Sequence, residues 1–295
     1  PNALTTTETL NFGFMETGSN TWLASLQLDY ERKAGRTAVA HAHKGPIRVL
    51  KSLYPEGDAI CHTVLVHPPS GLVGGDTIDI AVSVGPAAHA LVTTPGASRF
   101  YRSTGEWATQ QVHAQLADGA RLEWLPLETL AYNNCKARNT ARFSLAGDSE
   151  LIAWDLTALG LPLADQPFEN GMLRQHLEVE GVWLERGDLV GNDDCLLNSA
   201  LGLDGHRCAG TLVFASGRSI APKRVEAALT ACMNLISAHD LCKQAGVTQP
   251  NDQIIVLRTL SAQVEPNLDL LRQVWAAWRA LLWDLPAREP RLWRL

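Results

Sequence analysis

Three stretches decide how this chain folds: VGPAAHALVTTPGAS at 84–98, LADGARLEWLPLET at 116–129 and LAGDSELIAWDLTA at 145–158. Each follows one plan: a strand end, a turn of small or acidic residues, a second apolar strand, then a kink. Leu91, Leu122 and Leu151 recur at intervals of about thirty residues, as do Trp124 and Trp154. A looser fourth copy, LEVEGVWLERGDL, occupies 177–189. Strand character at this period predicts stacked β layers, a solenoid-like sheet superhelix; a meander of similar hairpins is the competing arrangement.

Working outward, TIDIAVSV at 77–84 and RQHLEV at 174–179 alternate apolar and polar residues, the period of half-buried strands. Pro68-Pro69, Gly71, Gly74-Gly75 and Pro95-Gly96 punctuate them, so 20–220 reads as β-rich. The pattern then changes. At 223–246, Val225, Ala228, Leu229, Cys232, Leu235, Ile236 and His239 share one helical face, with Gly246 as the expected stop. A short strand is expected at 253–260. Asn267 is expected to cap a second helix through 285, which Pro286 ends. The expected fold is mainly β with α: one domain over 1–295, a stacked β-sheet superhelix with two late helices.

Lys and Arg number 25 against 31 Asp and Glu, a net charge of −6 that argues against nucleic-acid binding. Only 19% of residues are charged while 46% are hydrophobic, so some surface is expected to be covered by a partner. No run approaches the roughly 20 apolar residues of a membrane span. Residues 1–18 lack a basic and apolar leader pattern, so a cytoplasmic location is expected. The six cysteines form no CxxC and read as reduced thiols.

Catalytic signatures are missing: no P-loop, no strand–GxGxxG–helix, no HExxH and no GxSxG. The chain is therefore expected not to be an enzyme, and any nucleotide-driven step falls to a partner. His41, His43, Cys61, His62 and His67 suit borderline metal ions, but without the spacing of a closed site. The turns HPPSGLVGGD at 67–76 and TTPGASRFYR at 93–102 are dense in Gly, Pro and hydroxyls, and the second offers Arg99, Tyr101 and Arg102 as a contact surface.

Acids recur inside apolar strands, where a carboxylate needs a pair, a hydrogen bond or a cation. They are Glu123, Glu128, Asp155, Glu185 and Asp188. Stacked rungs are expected to align Asp76, Glu128 (or Glu123), Asp155 and Asp188 into an interior path for a loosely held cation. The alternative is a cytosolic β-helix carbohydrate-active enzyme, with interior carboxylates as acid and base.

HPPSGLVGGD at 67–76, TTPGASRFYRS at 93–103, LEWLPLETLAY at 122–132 and PRLWRL at 290–295 together resemble the urease accessory protein family UreD, also called UreH. The resemblance implies a cytoplasmic, non-enzymatic β-rich superhelix with added helices. It implies that the chain binds apo-urease and recruits UreF and the GTPase UreG. Nickel would then be delivered to the urease active site, in transit through an internal tunnel and never bound tightly. Carried over by motif, His67, Gly74, Gly75 and Asp76 match the first segment. Thr94, Ser98, Arg99, Tyr101 and Arg102 match the second, and Glu128 the acid of the third. The C-terminal Trp275, Trp278, Trp283, Arg291 and Trp293 are expected to help dock UreF, because tryptophan favours interfaces; full burial of this helix and tail against the β layers is the equal alternative.

Overall fold

The computed structural model describes residues 21–294. Two sheets face each other. In the first, β14 (Trp183–Val190), β13 (Met172–Val179), β11 (Lys136–Leu145), β8 (Ala108–Leu116), β5 (Thr77–Val84), β1 (Leu23–Lys33) and β2 (Arg36–Lys44) lie side by side. The second runs β16 (Ala245–Asn251), β17 (Ile254–Ser261), β15 (Cys208–Ser216), β12 (Glu150–Leu159), β9 (Arg121–Leu125), β6 (His89–Thr93), β4 (Ile60–Val66) and β3 (Arg48–Val49). Two short strands, β7 (Ser98–Phe100) and β10 (Thr129–Ala131), pair with each other, and β10 continues onto β12.

The neighbours β1, β5, β8, β11 and β13 are parallel, as are β4, β6, β9 and β12. The chain therefore climbs one rung per turn, and the expected β solenoid is what forms. Its corners repeat. Val84, Leu116 and Leu145 stack, and six residues later Ala90, Leu122 and Leu151 stack again. Gly147 turns the third corner at φ +54°, where the Asp118 carboxylate occupies the space a Cβ would need. That carboxylate accepts the Asp148 N–H at 2.7 Å and so ties one corner to the next.

The kinks have a plain cause. Pro95-Gly96 separates β6 from β7 and Pro126 separates β9 from β10, whereas β12 contains neither residue and runs unbroken. Strands of the first sheet bury alternate residues, as in Thr77–Val84. His89–Thr93 of the second sheet is buried on both faces. The reason is a layer of two helices, α2 (Pro222–Ala238) and α3 (Val264–Trp283), laid on its outer side; a short helix, α1 (Asp194–Asn198), precedes them. One apolar core fills the solenoid and a second fills the seam between sheet and helices. No helix among the described residues is long and apolar enough to cross a membrane.

Five expectations are corrected. Leu91 pairs with Glu123, so the residue stacked on Leu122 is Ala90. A one-residue slip reverses the face: Leu91 packs in the helix seam, while Leu122 and Leu151 fill the solenoid. Trp124 likewise pairs with Ala153, and Trp154 faces the seam. The fourth copy is an antiparallel hairpin of β13 and β14, not another rung. The first long helix stops at Ala238, because the His239 imidazole accepts the Leu241 N–H at 3.0 Å in a local turn; 245–251 is strand. The second begins at Val264, ahead of Pro266, whose missing N–H is harmless in a first turn. Asn267 is thus inside the helix, fully buried and without a polar partner among the described residues. The leader reading at 1–18 lies outside the described residues.

Candidate functional site

Inside the solenoid, the described inward positions are mostly apolar, and a column of polar side chains crosses several rungs. Gln110, Asn139 and Gln175 stand side by side on β8, β11 and β13. Across from them, Ser98, Thr129 and Thr157 stack on β7, β10 and β12. The Ser98 hydroxyl donates to Gln110 Oε1 at 3.2 Å, and Gln110 Nε2 donates to Asn139 Oδ1 at 3.3 Å. Asn139 Nδ2 then donates to Asp155 Oδ2 at 3.0 Å. Gln175 Nε2 and the Thr157 hydroxyl donate to Asp155 Oδ1 at 2.9 and 3.0 Å.

Burial pushes the Asp155 carboxyl up to about 6, helped by the nearby Glu185 charge and partly opposed by the Thr157 and Asn139 hydrogen bonds. The column opens there into a cavity of about 700 Å³, lined by Asp155, Thr157, Gln175, Glu185, Thr211 and Arg258 among others. Glu185 is held by the Thr211 hydroxyl at 3.0 Å and by Arg258 Nε at 2.6 Å. Neutral amides and hydroxyls around one titratable acid can pass an ion from ligand to ligand without trapping it. Among the described residues, no three His, Cys, Asp or Glu side chains group so as to hold a metal ion.

The four acids expected on one line are placed apart. Asp155 is in the column. Asp76 is buried, but its carboxylate accepts the Val73 and Trp22 N–H groups at 2.9 and 3.3 Å, which closes the turn before β5. Glu128 is half-buried beside Cys208, whose thiol is pushed up to about 12 by burial and by the charges of Glu265 and Glu128. Asp188 lies on the outer face of β14, bound twice by Arg174 at 2.7 Å. The inward acid of that strand is Glu185, because its parity is the opposite one.

The turn motifs converge. His67, Thr94, Ser98 and Arg99 line one cavity of about 280 Å³. The Thr94 hydroxyl donates to the Gly96 carbonyl at 3.0 Å and accepts the Leu127 N–H at 2.9 Å, joining the second motif to the third. The His67 ring lies 4.8 Å from that of Trp22, and burial holds its basicity below the usual imidazole range against the pull of Asp76. A side chain at Gly74 would overlap Ser103, and Gly75 adopts φ +93°. Tyr101 packs on Tyr132, ring centres 5.0 Å apart, while Arg102 is exposed. The fourth motif arrives through Trp293, whose indole donates to the Thr93 hydroxyl at 2.9 Å.

This meeting of four separated motifs on one solenoid agrees with the comparison to known proteins. Residues 23–294 match the family described as UreD urease accessory protein. The chain is 55% identical over 275 residues to the urease accessory protein UreD of Paracidovorax citrulli, covering 93% of this chain and all of that protein. It is 56% identical over 272 residues to the UreD of Variovorax paradoxus, covering 92% and 99%. The UreD of Methylibium petroleiphilum is 48% identical over 293 residues, again covering 92% and 99%.

The chain belongs to the UreD family.

In this UreD chain the C-terminal tryptophans are not the exposed docking surface expected of them. Trp275 and Trp278 are fully buried, and Trp283 and Trp293 nearly so. Each indole N–H is satisfied inside: Trp275 by Glu123 at 2.6 Å, Trp278 by the Ala228 carbonyl at 3.2 Å, Trp283 by Glu150 at 2.7 Å. Trp293 wedges between Trp154 and Trp275, ring centres 5.1 and 5.3 Å away. Arg291 alone of that set is exposed. Glu123 belongs to this seam. It binds His89 Nε2 at 2.8 Å and Arg279 Nε at 3.3 Å, and Arg279 reaches on to Glu56 at 2.9 Å.

Gln110, Asn139, Gln175 and Glu185 are the site residues that sequence reasoning passed over as ligands. Their signal was available. Three successive rungs each carry an amide at a position where strand alternation calls for an apolar residue.

Proposed function

We propose that this chain serves urease maturation as a scaffold: it binds apo-urease, recruits UreF and the GTPase UreG, and passes nickel toward the urease active site. The observation that carries the reading is the polar column from Ser98 to Asp155 and its open cavity, found in a member of the UreD family. Nickel is the cargo. Hydroxyls, amides and single carboxylates hold a divalent ion briefly, as a conduit must. The work is placed in the cytoplasm, without catalysis by this chain.

The test is coexpression of urease with its other accessory proteins at limiting nickel, with and without this chain. Nickel content and urease activity are expected to fall sharply without it, and equal values overturn the reading. In the same system, Asp155→Asn with Glu185→Gln is expected to leave the complex assembled and lower nickel content. Wild-type loading in that variant removes the column from the path. The sugar-hydrolase alternative predicts turnover in a glycoside screen, and none is expected.

A further inference from the structure

The chain has a net charge of −6, yet the outward face of β11, β13 and β14 is basic. Strand register fixes the pattern. Arg138 on β11 lies beside Arg174 on β13, which lies opposite Asp188 on β14. One row along, His176 lies opposite Arg186. All of these share the outer parity, since Ala137, Leu173 and Phe143 of the other parity are fully buried.

Trp107 sits at the edge of this face. Arg138, Arg174 and Lys136 place their cationic groups 4.2, 5.2 and 5.3 Å from its ring centre. Stacking on an indole holds guanidinium groups in order before anything binds. Charge compensation within the face is incomplete. Arg174 takes Asp188, and Arg142 takes Glu178 at 3.2 Å. Arg138 and Arg186 have no ion-pair partner among the described residues, and Arg138 Nε is buried without an acceptor. The charges of Arg138 and Arg186 instead reach Asp188, so three guanidiniums share one carboxylate. Like charges on neighbouring strands oppose folding unless a counter-charge is supplied.

We propose that this face docks an acidic protein surface, whose carboxylates pair with Arg138 and Arg186 beside Trp107. Resting on the function proposed above, apo-urease is the protein that brings this surface. Position supports it: Arg186 points outward one residue from Glu185, which lines the cavity at the end of the column. A partner seated on β14 rests on the strand that itself forms one wall of that cavity. A polyanionic nucleic acid fits poorly, because Glu178, Glu180 and Asp188 are interspersed and the whole chain is acidic.

The experiment coexpresses the full chain with urease and the other accessory proteins, and measures captured apo-urease, UreF and UreG at rising salt. Arg138→Glu with Arg186→Glu is expected to lower urease capture roughly tenfold while UreF and UreG remain bound. Arg138→Lys with Arg186→Lys is expected to retain most capture, and wild-type capture is expected to weaken as salt rises. Circular dichroism checks the fold, and Arg186→Glu alone, at an exposed position, carries the test if the double variant does not fold. Wild-type urease capture by a folded charge-reversed variant overturns the proposal, as does loss of UreF in place of urease. A labelled DNA duplex that binds wild type and not the reversed variant, with urease capture unchanged, also overturns it. If nickel loading needs this chain but urease capture ignores these charges, the docking face fails and the maturation role stands.

Discussion

Two carboxylates, one on each side of the second sheet, are held in opposite ways: Glu123 is fully buried and Asp155 half-buried. Glu123 faces the helix seam and is enclosed by Arg279, His89 and the Trp275 indole. Asp155 faces the solenoid and has only neutral donors, Asn139, Gln175 and Thr157, beside a cavity. The first arrangement fixes a charge where nothing needs to exchange. The second leaves a carboxylate whose proton, and so whose cation affinity, responds to its surroundings. One sheet thus separates a sealed seam from an interior that opens into a cavity.

The contrast breaks most visibly at Arg279. Arg279→Ala strands Glu56 and Glu123 in a sealed seam, and a loss of about 3–5 kcal/mol is expected in chemical unfolding. A smaller loss would mean that water enters the seam. Trp293→Ala is expected next, at about 3 kcal/mol, because it empties the slot between Trp154 and Trp275. A change under about 1 kcal/mol would detach the tail from the core and reopen it as a docking surface.

Asp155 gives the subtlest effect, and its sign is distinctive. Its folded pKa is raised, so the folded state holds the proton more tightly than the unfolded state between pH 4 and 6. The protonated acid therefore costs little below its unfolded pKa, and stability falls as pH rises to about 6. Asp155→Asn removes that dependence. Relative to wild type, the variant is expected to gain up to about 2 kcal/mol between pH 4 and pH 8, read from unfolding curves at each pH. A flat difference would place Asp155 in open water and end the contrast with Glu123.

Much of this was legible in the residues. The repeated turn at 84–90, 116–122 and 145–151 carries the solenoid, since equal corners force strands to stack. The register was misread by one because Leu91 looks like Leu122, whereas the inward slot of that rung is filled by the smaller Ala90. Residue identity misled where corner length was the better guide. The four family motifs pointed to one region. Asp155 was legible as an acid in an apolar strand; Asp188 was not separable from Glu185 without knowing which parity faces inward. The tryptophans were ambiguous by nature, because the same side chain serves a core and an interface equally well. The helix ends were hidden by local chemistry, the His239 turn and the Pro266 first turn.

Trp293 also sets an order of events during synthesis. Its hydrogen-bond partner, Thr93, precedes it by 200 residues. The rungs are local and can stack as they leave the ribosome, vectorially, from the amino-terminal side. The seam cannot close until the far end of the chain has emerged. A chain halted between Trp275 and Trp293 therefore lacks the ring that fills the slot between Trp154 and Trp275, and an unfinished copy differs from a finished one at this seam.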